Sequence, residues 1–204
     1  MAVFTIAPMK SLALLTAALL ATTAQAQTVF SDNFEAAALG LNATPAGWTV
    51  TNAGGTVDVI GGSLFGNLCA GSGQCIDLDG STGLAGVLSR QVNLTAGTTY
   101  TLSFDIAGNR RGAGTETGVV TLGNSTLNYS LTDSSASAAY QTMSLAFKPT
   151  STGSYALSFA NFGGDNQGAI LDNVALTAAV PEPASAALML LGLGGVALLK
   201  RRRT

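Results

Sequence analysis

Apolar and polar residues alternate with a period of two through most of the chain. Tyr100, Leu102, Phe104 and Ile106 fall on one face, and Thr99, Thr101, Ser103 and Asp105 on the other. The same beat recurs at Leu127, Tyr129 and Leu131, at Met143, Leu145 and Phe147, and at Tyr155, Leu157 and Phe159. This is the pattern of half-buried β-strands. Enrichment in Thr, Val, Tyr and Phe agrees with it. Residues 76–78 and 87–94 read as further strands. Turn formers separate the runs, as at Asn52-Ala53-Gly54-Gly55, Asp79-Gly80-Ser81-Thr82-Gly83, residues 108–114, Asp133-Ser134-Ser135 and Gly163-Gly164-Asp165-Asn166. No useful helical period occurs outside the two ends, and no internal repeat is found. Many short strands with regular turn signals predict an all-β, antiparallel jelly-roll sandwich over residues 27–178.

The two ends break the pattern. Lys10 precedes an apolar run over residues 12–21, and Ala24-Gln25-Ala26 fits the small-x-small cleavage rule. Residues 1–26 therefore predict a signal peptide cut between Ala26 and Gln27, with Met9 as an alternative start. At the other end Pro181-Glu182-Pro183 leads into an apolar run over residues 184–199 and then Lys200-Arg201-Arg202-Arg203. The prolines fix φ and remove two donors, so the tripeptide is expected to be extended and accessible. A helix of that run reaches about 24 Å, somewhat short of a hydrocarbon core of about 30 Å. Four cations in lipid would cost more than the run gains, so the tail should enter the membrane and stop. Positive charge stays cytoplasmic, which places the sandwich outside. Residues 179–204 thus predict a single transmembrane tail behind a rigid linker.

Charge changes the picture once these ends are set aside. The overall formal charge is −2. The part between them keeps Arg90, Arg110, Arg111 and Lys148 against ten carboxylates, a net of −6. Such a surface excludes nucleic acid and anionic lipid as partners. Cys69 and Cys75 lie in an exported segment with Gly71 and Gly73 between them, where a structural disulfide is the expected state. Zinc would need two more soft ligands in a chain without His, and a redox pair would lack Cys-x-x-Cys spacing.

Candidate chemistry is sparse. Asp172 falls in phase with the apolar Ile170, Val174 and Leu176, so its carboxylate must find a cation or several donors. Trp48 follows Gly47 at a strand start and reads as a core anchor, with sugar stacking as the other reading. Tyr140 is out of phase with Met143, Leu145 and Phe147, which makes it the expected exposed aromatic. Arg110 and Arg111 form the cationic spot of an acidic domain, suited to carboxylates or sulfates on a ligand or else a solvated loop. Asp77 and Asp79 lie on one strand face beside a glycine turn and read as outward turn chemistry. No His can serve as general base, and no nucleophile motif or phosphate-binding glycine loop is present. An enzyme is not expected.

Two resemblances add to this reading. Pro181-Glu182-Pro183, the short glycine-containing span and the arginine cluster resemble the PEP-CTERM sorting signal of Gram-negative bacteria that make extracellular polysaccharide. The resemblance implies recognition by an exosortase and removal of a tail held briefly in the inner membrane. Asp32-Asn33-Phe34-Glu35 with Gly47-Trp48, the segments 76–80 and 100–109, and Leu171-Asp172-Asn173-Val174 resemble choice-of-anchor and galactose-binding-like sandwiches. The latter implies a structural calcium held by Glu35 and Asp172, with Asp32 assisting. The expected function is an exported, non-catalytic cell-surface or matrix protein of the exopolysaccharide or biofilm layer. The alternative is a lectin-like module with a defined glycan ligand, contacted through Tyr140, Arg110 and Arg111.

Overall fold

The structure is a computed structural model and describes residues 26–180, apart from Asn52 and Ser72. The signal-cleavage residue Ala24, the transmembrane run and the sorting tripeptide Pro181, Glu182 and Pro183 lie outside the described residues. Among the described residues no helix is long and apolar enough to cross a membrane.

Eleven strands form two antiparallel sheets. They are β1 (Gln27–Asp32), β2 (Thr49–Thr51), β3 (Asp58–Gly61), β4 (Gln74–Asp77), β5 (Val87–Leu94), β6 (Tyr100–Ala107), β7 (Glu116–Leu122), β8 (Ser125–Leu131), β9 (Gln141–Phe147), β10 (Gly153–Asn161) and β11 (Ile170–Ala178). One sheet runs β3-β4-β11-β6-β9, with β1 also paired to β11. The other runs β2-β5-β10-β7-β8. The strands expected from alternation at 100–106, 127–131, 143–147 and 155–159 are all present, and the run at 87–94 is β5.

The core follows from the alternation. Leu102, Phe104 and Ile106 of β6, Leu157 and Phe159 of β10, and Leu88 of β5 are fully buried between the sheets. Phe159 packs edge-on to Phe104, with ring centroids 5.1 Å apart, and tilts against Trp48 at 6.1 Å. Trp48 is a core anchor, 5 % exposed, and its indole donates to Asp32 Oδ2 at 2.8 Å. Burying each such ring contributes about 1.5–3 kcal/mol or more.

The two outer faces differ. Cross-strand partners share a face, so Thr49, Ser89, Ser158, Thr121 and Thr126 make one hydroxyl rank across all five strands of the second sheet. The outer face of the first sheet is instead partly covered. Ile60, Cys75 and Ile170 build a second small core there with Leu68 and Cys69, and Tyr140 packs against it. The cover is the loop between β3 and β4, which holds a 3₁₀ turn at Gly66–Leu68. The Cys69–Cys75 disulfide ties it down. Closing so short a loop contributes about 2.4 kcal/mol on chain-entropy grounds.

The last strand departs from simple alternation. Asp172 pairs with Asp105, but Ala175 pairs with Ser103, so β11 carries one extra residue at a bulge. Asn173 there adopts φ 51°. The bulge flips the phase: Leu171, Val174 and Leu176 face the main core, whereas Ile170 packs in the outer cluster. Asp172 shares the outer face with its partner Asp105. Its carboxylate is not on the apolar phase that unbroken alternation would assign.

Candidate functional site

Four loops meet at one rim of the first sheet's covered face. Their residues enclose a cleft of about 310 Å³ lined by Asp58, Phe65, Ser81, Arg111, Asn166 and Gln167. That is the small end of the range for ligand pockets.

Arg111 is the centre of the site. Its Nη2 pairs with Asp77 Oδ2 at 2.7 Å, and Nη1 donates to the Asn166 carbonyl at 2.8 Å. The guanidinium carbon lies 5.4 Å from the centroid of the Phe65 ring, within cation–π range. Asp77 is wholly buried and also accepts from the amides of Asp79 and Gly168. Gly168 must be glycine, because a Cβ there would run into the Asp79 amide nitrogen. Burial pushes the Asp77 carboxyl up to about 7, outweighing the opposing pull of Arg111 and the two amides. Asp79 is buried too and is shifted upward by burial, with Asp165 and Glu116 adding repulsion.

Phe65 is the aromatic wall. It is 49 % exposed and sits at φ 54°, a left-handed conformation unusual for a bulky residue. Paired hydrogen bonds between Gly61 and Leu64 hold the turn from one side, and the disulfide at Cys69 holds it from the other. Strain of this kind persists only where the surroundings impose it. The polar wall is equally fixed. Asp58 accepts from the Asn42 amide, the Ser81 amide and the Ser81 hydroxyl. Asn166, at φ 60°, and Gln167 lie on the loop after β10, which also carries Phe162, 67 % exposed. An exposed ring beside amides, a hydroxyl and a guanidinium can hold a sugar by its apolar C–H face and its hydroxyls.

The residues expected from sequence to contact a ligand are divided. Arg111 lines the cleft. Arg110, at φ 58°, turns the other way, donates to the Ala136 carbonyl and stacks 5.5 Å over the Tyr140 ring. Tyr140 is half-buried rather than freely exposed, because its ring packs on the second small core and its hydroxyl donates to the Leu68 carbonyl. Burial raises its phenol above the usual range. Asp77 faces outward from the sheet, yet it is buried, since loops from β6–β7 and β10–β11 lie over it; Asp79, past the end of β4, is also buried and accepts the Asp165 amide. The sequence reading missed Phe65. The available signal was a large apolar residue in a glycine-rich stretch, outside any alternating run.

The carboxylates of the expected calcium set each accept from a different donor. Glu35 Oε1 accepts the Gln74 amide at 2.8 Å, and Asp172 Oδ1 accepts the Asn173 amide at 2.7 Å. Burial pushes the Asp172 carboxyl up to about 6, opposed by that amide and reinforced by Glu35, Asp105 and Asp32 nearby. Both oxygens of Asp32 serve other donors, the Phe34 amide and the Trp48 indole. Among the described residues no group of three or more His, Cys, Asp or Glu is arranged to hold a metal ion.

Raised carboxyls have a stability signature. Asp77 and Asp172 bind a proton more tightly folded than unfolded, so their contribution is complete below about pH 4 and is lost as pH rises through 6 and 7. In chelator, the melting temperature is expected to fall by roughly 5 °C or more between pH 4.5 and pH 8. A melt that rises over that interval would contradict the burial of both groups.

Comparison with known proteins places the chain. Residues 23–177 match the family model described as "Protein of unknown function (DUF642)", and residues 179–203 match the PEP-CTERM protein-sorting motif. No curated protein matches the sequence. The xylan-binding domain CBM22-1 of Paenibacillus barcinonensis Xyn10C superposes with a TM-score of 0.51 at 14% identity, covering 78% of this chain and 99% of that one. The K1 cleaved adhesin domain of Lys-gingipain from Porphyromonas gingivalis W83 gives 0.50 at 16% identity, covering 72% and 96%. The CBM22-1–GH10 chain of Clostridium thermocellum xylanase 10B gives 0.49 at 16% identity, and the chain spans 28% of its length. At these identities the likeness is one of fold. Neither matching family model describes a catalytic domain.

Proposed function

The chain belongs to the DUF642 family of proteins of unknown function, and from that premise we propose that it is an exported, exosortase-sorted surface protein whose sandwich binds glycan. The reading as a glycan-binding module takes precedence over that of an inert matrix component. The observation that carries it is the Phe65 cleft, a strained, braced and exposed aromatic facing fixed polar groups. The carbohydrate-binding fold of the structural neighbours supports it. The sorting motif at residues 179–203 supports delivery to the envelope, where Pro181-Glu182-Pro183 would mark the tail for an exosortase. Residence in the exopolysaccharide or biofilm layer would follow from binding. The sandwich would reach that layer after signal cleavage next to Ala26 and transient inner-membrane anchoring with a cytoplasmic tail.

The test is retention on immobilised polysaccharides. The domain of residues 27–180 should be retained by at least one polymer, and Phe65→Ala should weaken that retention about tenfold or more without changing the melting temperature. Phe65 lies largely outside the core, so its removal costs little stability. Equal retention of both proteins would move the site elsewhere.

Glu35 and Asp172 remain the pair for a structural calcium. Two carboxylates and their neighbours crowd the outer face around Asp172, and a divalent cation would relieve that repulsion. Carbonyls and water would complete the six to eight oxygens that calcium requires. Calcium is expected to raise the melting temperature of the wild type, and Asp172→Asn to abolish the rise. A wild-type melt indifferent to calcium would reject the site.

A further inference from the structure

We infer that the Phe65 cleft selects uncharged glycans and rejects polyuronates, because Arg111, the cation of its lining, is already paired. This rests on the cleft being the glycan site. The sequence invites the opposite expectation, since two adjacent arginines suit carboxylates. The structure commits both of them elsewhere.

The guanidinium of Arg111 is shared between buried Asp77 at 2.7 Å and the Asn166 carbonyl at 2.8 Å, with Phe65 beneath it. Its charge is countered inside the protein, and one N–H of each terminal nitrogen is already committed. The remaining ionisable group of the lining is Asp58, whose carboxylate adds negative charge. Arg110 stacks on Tyr140. Arg90, on the other sheet, lies 4.6 Å over the Phe30 ring. Lys148 belongs to a different cleft, with Phe147 and Tyr155. Among the described residues no cation is therefore left to meet a carboxylate at Phe65. A uronate there would face Asp58 and an exported domain carrying four cations against ten carboxylates, a net of −6. Neutral sugars meet no such cost. Their C–H faces suit the Phe65 ring, and their hydroxyls suit the Asn166 and Gln167 backbone and amides, with Ser81 alongside.

The experiment compares neutral polymers (β-glucan, galactan, mannan and xylan) with polygalacturonate and alginate. It is run at pH 8, where Asp77 is ionised, and in 0.15 M salt, which screens the distant charges. Wild-type domain should bind at least one neutral polymer with a Kd at least tenfold below that for either polyuronate. Asp77→Asn keeps an acceptor for the two amides but unmasks Arg111. It should improve polyuronate binding about threefold or more and so narrow the preference for neutral polymer. Tighter binding of a polyuronate by the wild type would overturn the selectivity and leave the glycan reading standing. An unchanged preference in a folded Asp77→Asn protein would overturn the assignment of selectivity to the Arg111–Asp77 pair. Retention by no polymer of either class would overturn both the inference and the reading beneath it.

Discussion

Replacing Asp77 by alanine is expected to lower the melting temperature by roughly 10 °C at pH 8. Three donors converge on that carboxylate, namely Arg111 Nη2 and the amides of Asp79 and Gly168. Removing it leaves a largely buried guanidinium without its counter-charge and two buried amides without an acceptor. Breaking a buried pair from one side costs about 3–5 kcal/mol, and each kcal/mol moves the midpoint of a domain this size by about 2–4 °C. Asp77→Asn should lose far less. It retains an acceptor and removes a charge that burial already disfavours, as the upward shift of the Asp77 carboxyl indicates. Thermal unfolding of the two variants side by side checks this. An alanine variant within about 2 °C of wild type would mean that the β6–β7 loop does not close over the sheet.

Phe159→Ala should be comparably damaging for a different reason. The ring is fully buried, meets Phe104 edge-on and touches Trp48, so its loss leaves a cavity between the sheets. Such truncations cost about 3–5 kcal/mol. Unlike the Asp77 effect, this one should not depend on pH between 5 and 8, because no titrating group is uncovered. Chemical denaturation at both pH values measures it. A loss of less than about 1 kcal/mol would show that the two sheets do not pack through this ring.

Alternation made the fold readable where one strand face is dry and the other wet. β6 shows this best, with Leu102, Phe104 and Ile106 inside and Thr101, Ser103 and Asp105 outside. The pattern fails where both faces are covered. All four residues of β3 are buried, because the outer face of that sheet has its own small core. The strand therefore carries no period of two. In β7 the inward position Gly118 is occupied by space for the Tyr129 ring, which a Cβ would strike. That glycine hid the strand. Asp172 misled for a third reason: one extra residue at Asn173 inverts the phase, and nothing in the flanking residues announces a bulge.

The site was less legible than the fold. Arg111 stood out as a cation on an acidic domain, but its partner Asp77 lies 34 residues earlier in the chain. Phe65, Ser81 and Asn166 come from separate connections and Asp58 from the start of β3, so no local spacing links them. What brings them together is the order β3-β4-β11-β6, which sets those connections side by side. Tyr140 was correctly placed off the main core phase. The second core that covers it could not be foreseen, because the loop from Gly62 to Cys69 has no periodic pattern.

The most direct test of the account is a map of backbone amide shifts in the isotope-labelled domain titrated with neutral oligosaccharides. Binding should perturb Phe65, Ser81, Arg111, Asn166 and Gln167 together, and Phe65→Ala should erase the response. Perturbations confined to the hydroxyl rank of Ser89, Thr121 and Ser158, or to the cleft around Lys148 and Tyr155, would contradict the placement of recognition at the Phe65 rim.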